Sequence, residues 1–69
     1  MPLTMAKIGE SVTIKKILGK DETIKFLNRL GFIEGHPVTI VSSIDGNLIL
    51  NVKETRVALD RQLSNRIVV

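Results

Sequence analysis

Apolar and polar residues alternate through Val12 and Ile14, slip by one position across Lys15-Lys16, and resume at Ile17 and Leu18. Strand side chains point alternately to two faces, so the slip predicts a strand over 11–18 interrupted by a bulge. Upstream, 1–8 has no clear period and reads as an extended lead-in that seats Leu3 and Ile8 on the core. Downstream the period changes. Ile24, Leu27 and Leu30 recur every three residues with Phe26 beside them, the buried stripe of a helix. Asp21 is placed as the N-cap, Glu22 adds negative charge to the first turn, and Asp21–Lys25 is an i,i+4 pair of favourable polarity. Gly31 suits a left-handed stop, which would bring Phe32 back onto Leu27 as in a Schellman ending.

The rest reads as short strands. A turn at Gly35-His36-Pro37 leads into a strand over 38–44, and Asp45-Gly46 marks a two-residue hairpin, type I′. The return strand, 47–53, puts Leu48, Leu50 and Val52 on one face and Ile49 on the other. A second turn near Glu54-Thr55 leads to a strand over 56–60 with Val57 and Leu59 inward. A helical turn over 61–65 buries Leu63, and a last strand over 66–69 points Ile67 and Val69 inward. The expected architecture is one mainly β domain over 1–69. It is a small SH3-like barrel of about five strands, with a helix between the first two main strands and a helical turn before the last strand. Curling into a barrel removes most exposed edges.

Composition narrows the chemistry. With no Cys there is no disulfide, no thiolate nucleophile and no ordinary structural zinc site. The net charge of +3 is spread along the chain, and Phe26 and Phe32 are the only aromatic residues. A nucleic-acid binder more often pairs a basic cluster with stacking aromatics, so a small RNA- or DNA-binding barrel is disfavoured. No apolar run is long enough to span a membrane and no signal-peptide pattern opens the chain, so direct membrane insertion is not expected and the location is read as cytoplasmic.

The ordered motifs carry a family resemblance. They run from Leu3 through Ile8-Gly9-Glu10, then Val12-x-Ile14-x-x-Ile17, then Leu27-x-x-Leu30-Gly31-Phe32-x-x-Gly35-x-x-Val38, and end with Val57-Ala58-Leu59 and Ile67-x-Val69. In this order and spacing the chain resembles FeoA, the small SH3-like cytosolic protein of bacterial ferrous-iron uptake. The resemblance implies an accessory protein that acts with FeoB, the membrane transporter carrying a GTP-binding domain. It also implies kinship with the SH3-like domain of DtxR-type iron-dependent repressors. Many family members carry Ala near the position of Leu63, so the larger side chain is expected to alter packing around Ile67.

No residue set suggests catalysis. His36, the only imidazole, lies between Gly35 and Pro37 and is read as a solvated turn residue rather than a metal ligand. Glu10, Glu34, Glu54 and Asp60 are scattered, and no spacing argues for an oxygen-ligand site for iron or magnesium. No catalytic, cofactor-binding or metal-binding residue is assigned. Lys15, Lys16, Lys20, Lys25 and Arg29 are candidates for a basic patch that docks an acidic surface. The partner surface is placed at Lys25, Arg29, Phe32, Ile33 and Ile49. The expected function is a non-enzymatic interaction module that binds and modulates FeoB. The alternative is an SH3-like regulatory module that binds another protein or a peptide in metal homeostasis.

Overall fold

A computed structural model describes all residues, 1–69. Six strands form two antiparallel sheets. Strands β1 (Ser11–Thr13), β3 (Pro37–Ile44), β4 (Asn47–Val52) and β5 (Thr55–Leu59) make the larger sheet, in the order β1-β3-β4-β5. Strands β2 (Lys16–Ile17) and β6 (Ile67–Val68) make the smaller one. Helix α1 (Asp21–Leu30) follows the first two strands, and the four-residue helix α2 (Arg61–Ser64) precedes the last.

The slip at Lys15-Lys16 has a different cause from the one expected. The chain leaves the larger sheet after Thr13 and enters the smaller one at Lys16, so the break in alternation is a change of sheet. Ile14 and Ile17 are buried on either side of it, while Leu18 faces solvent. The bulge lies in β3 instead. Ile40 pairs with Leu50 and Ser42 with Ile49, which leaves Val41 as the extra residue. The lead-in is not extended either. Leu3–Met5 forms a 3-10 turn that buries Leu3, and Ile8 is exposed beside a turn through Gly9.

Helix α1 begins one residue earlier in role than the sequence suggests. Lys20, not Asp21, is the N-cap; its backbone is extended and no side chain caps the turn. The Lys20 carbonyl accepts from the Ile24 N–H at 3.1 Å, so Asp21 and Glu22 lie inside the first turn. There they act on the helix dipole rather than as a cap. The C-terminal end follows the sequence. Gly31 is left-handed at φ 110°, its N–H donates to the Asn28 carbonyl, and the Phe32 N–H donates to the Leu27 carbonyl, each at 3.0 Å. Leu27 and Phe32 are fully buried in one apolar cluster, completing the Schellman motif.

Two hairpins build the larger sheet. Asp45 and Gly46 both have positive φ, as a type I′ turn requires. Lys53 and Glu54 also both have positive φ, one residue before the expected turn. The inner face of the sheet carries Val38, Ile40, Leu48, Leu50, Val52 and Leu59 into the core. The outer face carries the row Ser42–Ile49–Ala58. The short helix α2 has a side-chain cap that periodicity does not reveal: Asp60 Oδ1 accepts from the Leu63 N–H at 2.8 Å.

Helix α2 also carries a mismatch. Leu63 is half-buried at the margin of the core, and Ser64 is fully buried. The Ser64 hydroxyl has no hydrogen-bond partner. A buried polar group left unpaired costs about 1–3 kcal/mol, and Ala is also the better helix former. Ser64→Ala is therefore expected to stabilise the fold by about 1 kcal/mol. Urea denaturation checks this by a raised midpoint with an unchanged slope.

Candidate partner-binding surface

Helix α1 presents the most distinctive exposed face. Leu27 anchors it to the core, and Ile24 and Leu30 pack partly buried on either side. At 3.6 residues per turn, Lys25 and Arg29 lie nearly opposite Leu27, and both are exposed. Phe26 stands about 100° from Leu27 and is 41% exposed. It flanks Arg29 on one side and the half-buried Leu30 on the other. Sequence periodicity set Phe26 beside the buried stripe, and only the depth of Leu27 shows that it lies outside. Its offset from the 24, 27, 30 spacing was the available signal.

The residues placed on the partner surface do not form one patch. Lys25 and Arg29 are together on α1, and half-buried Ile33 follows in the connection to β3. Phe32 must be withdrawn from the surface. It is 0% exposed, because the Schellman ending turns it inward onto the core. Ile49 is half-buried on the outer face of β4, with its partners Ser42 and Ala58. Helix α1 packs against the inner face of that sheet, so Ile49 and the helix lie on opposite sides of it.

The basic residues likewise divide into two groups. Lys25 and Arg29 ride on α1, whereas Lys15, Lys16 and Lys20 follow β2 and the link to the helix. His36 is half-buried and does backbone work: its carbonyl accepts from the Ile14 N–H and its N–H donates to the Ile33 carbonyl, each at 3.0 Å. Glu10, Glu34, Glu54 and Asp60 are exposed. No group of three or more His, Asp or Glu side chains converges as a metal-ligand set. No ligand-sized cavity opens in the molecule. No helix is long and apolar enough to cross a membrane.

Solved structures share this architecture. An iron uptake regulatory protein, FeoA, is 26% identical with a TM-score of 0.87, over 96% of this chain and 88% of its own. The zinc-complexed FeoA of Stenotrophomonas maltophilia, a prokaryotic SH3 domain protein and candidate ferrous-iron transport activating factor, is also 26% identical. Its TM-score is 0.84, over 99% of this chain and 87% of its own. The metal-bound regulator ScaR, at 17% identity, shares the fold over 97% of this chain and 34% of its own, with a TM-score of 0.86. None of the curated proteins matches in sequence. The barrel is therefore SH3-like, as expected. The sequence profile of the FeoA domain matches residues 1–69, and the chain belongs to the FeoA family.

Proposed function

We propose that this chain is a non-enzymatic accessory protein of ferrous-iron uptake. It works in the cytoplasm by binding an FeoB-type membrane transporter on the side of its GTP-binding domain. The docking surface is the outward face of α1 with the connection that follows. The observation that carries this reading is Phe26, a large aromatic left 41% exposed beside Arg29, with Lys25 on the same outward side of the helix. Aromatic anchors ringed by polar and charged groups supply most of the binding energy at protein interfaces. Lys25 and Arg29 are like charges at i,i+4, which disfavours an isolated helix by a few tenths of a kcal/mol. An acidic partner surface offsets that repulsion and steers the encounter. In this reading Phe26 takes the central place that the sequence assigned to Phe32, and Ile33 lies at the margin.

Association kinetics with the cytosolic GTP-binding domain of the transporter test the proposal. Lys25→Glu combined with Arg29→Glu is expected to slow association roughly tenfold or more at low salt and to flatten its salt dependence. Both positions are exposed, so the unfolding midpoint should stay near that of the parent. An unchanged association rate at low salt excludes the helix face. Loss of binding on Ile49→Ser with α1 intact moves the docking surface to the outer face of the sheet.

A further inference from the structure

A second surface lies on the smaller sheet. Strand register fixes which side chains share it. Lys16 pairs with Val68, and Val68 is bridged in turn by Pro2, so these three form one row. Ile17 pairs with Ile67, and both are buried, so their side chains point the other way. The next pair outward is Leu18 with Arg66, held by the Leu18 N–H donating to the Arg66 carbonyl at 2.7 Å. Lys16, Val68 and Pro2 share one face, and Leu18 and Arg66, both exposed, lie just beyond the strand ends beside it. Leu18 is 41% exposed, whereas Val68 and Pro2 are half-buried.

The charge that β2, β6 and their ends contribute to this face is of one sign. Lys16 and Arg66 flank the apolar centre, and Lys15 and Lys20 stand at its margins, all exposed. No Asp or Glu occurs from Lys15 to Lys20 or from Arg66 to Val69. The nearest carboxylates along the chain, Asp21 and Glu22, belong to the first turn of α1. The Arg66 stem is also positioned rather than free. A Cβ on Gly19 would meet Arg66 Cδ at 3.8 Å and Thr23 Cβ at 3.5 Å, so the stem lies across the glycine that joins β2 to α1. Gly19 itself is at φ 126°, a conformation that favours glycine.

We infer that this face binds an acidic, extended segment of a partner protein that places an apolar side chain on Leu18 and carboxylates against Lys16 and Arg66. Charge complementarity selects the acidic partner. The guanidinium of Arg66 is suited to bidentate recognition of a carboxylate, and Lys16 acts as a mobile point charge. The apolar part of the face is one exposed side chain and two half-buried ones. That fits one anchoring residue of a peptide better than insertion into a bilayer, which draws on a broad apolar face. This surface shares no residue with the α1 face and stands whether or not that face docks the transporter.

The test is an amide NMR titration of the full chain with an acetylated, amidated octapeptide, Glu-Glu-Asp-Leu-Glu-Asp-Glu-Glu, at near-physiological salt. The expected result is saturable shifts confined to Lys16, Leu18, Arg66 and Val68. Replacing the peptide's Leu by Ser should weaken binding about tenfold, as should Leu18→Ser. Lys16→Glu with Arg66→Glu should abolish it. Shifts centred on Lys25 and Arg29, binding indifferent to the peptide's Leu, or no saturable binding overturns the inference. Binding to phosphatidylglycerol vesicles but not to the peptide also overturns it. The variants alter exposed side chains, and the dispersion of their own amide spectra shows whether they remain folded.

Discussion

Phe32→Ala is expected to unfold most of the population, whereas Phe26→Ala should leave the fold intact. The two residues are six positions apart and chemically identical, yet Phe32 is fully buried and Phe26 is not. Phe32 is the only aromatic in an otherwise aliphatic core, where it joins Leu27, Ile40, Leu50 and others. Truncating a buried Phe costs about 3–5 kcal/mol, from lost transfer energy and the cavity that remains. At roughly 0.05–0.15 kcal/mol per residue, a chain of this length holds only about 3–10 kcal/mol in total. The loss therefore consumes much or all of the stability. Thermal denaturation should show a very low or absent transition for Phe32→Ala and a near-parental one for Phe26→Ala. A near-parental transition for Phe32→Ala would mean that the core is not packed as described.

Gly31→Val is the second large effect. Gly31 is buried at φ 110°, where side chains with a Cβ are strained and β-branched ones most of all. A Cβ there would stand 3.5 Å from both γ-methyls of Val52, an ordinary contact, so the backbone supplies most of the penalty. The γ-methyls of the new valine then add crowding against Val52 and Lys53. About 2–3 kcal/mol of destabilisation is expected. With a urea slope of about 1 kcal/mol/M for a domain this small, the midpoint should fall by about 2–3 M. His36→Ala is the matched control. His36 contributes through its backbone, which alanine retains, so its midpoint should barely move. Equal midpoints for Gly31→Val and the parent would contradict the left-handed ending of α1.

The sequence carried the elements that depend on local chemistry. The Gly31 stop, the Asp45-Gly46 hairpin and the alternation of Leu48, Leu50 and Val52 each follow from one residue's conformational preference or from a clean period. What it concealed depends on distant partners. The split of 11–18 between two sheets needs β3 on one side and β6 on the other, and neither is encoded near Lys15. The Lys53-Glu54 turn lacks Gly and Asn, so its positive φ values are imposed by the pairing of Val52 with Thr55. Asp60 ends a strand by its position and caps a helix by its side chain. Of the candidate surface, the charges of Lys25 and Arg29 were visible from helical spacing. The burial of Phe32 follows from the Schellman ending that Gly31 predicts, which conflicts with a place on the partner surface, and the exposure of Phe26 shows in the sequence only as its offset from the 24, 27, 30 spacing.

The proposed docking of an FeoB-type transporter places it on the outward face of α1. Its most direct test is an amide NMR titration of the full chain with the transporter's cytosolic GTP-binding domain. Saturable changes are expected at Lys25, Phe26, Arg29 and Ile33, with the outer-face row of Ser42, Ile49 and Ala58 unmoved. Changes confined to that row, or no saturable change at any site, would contradict it.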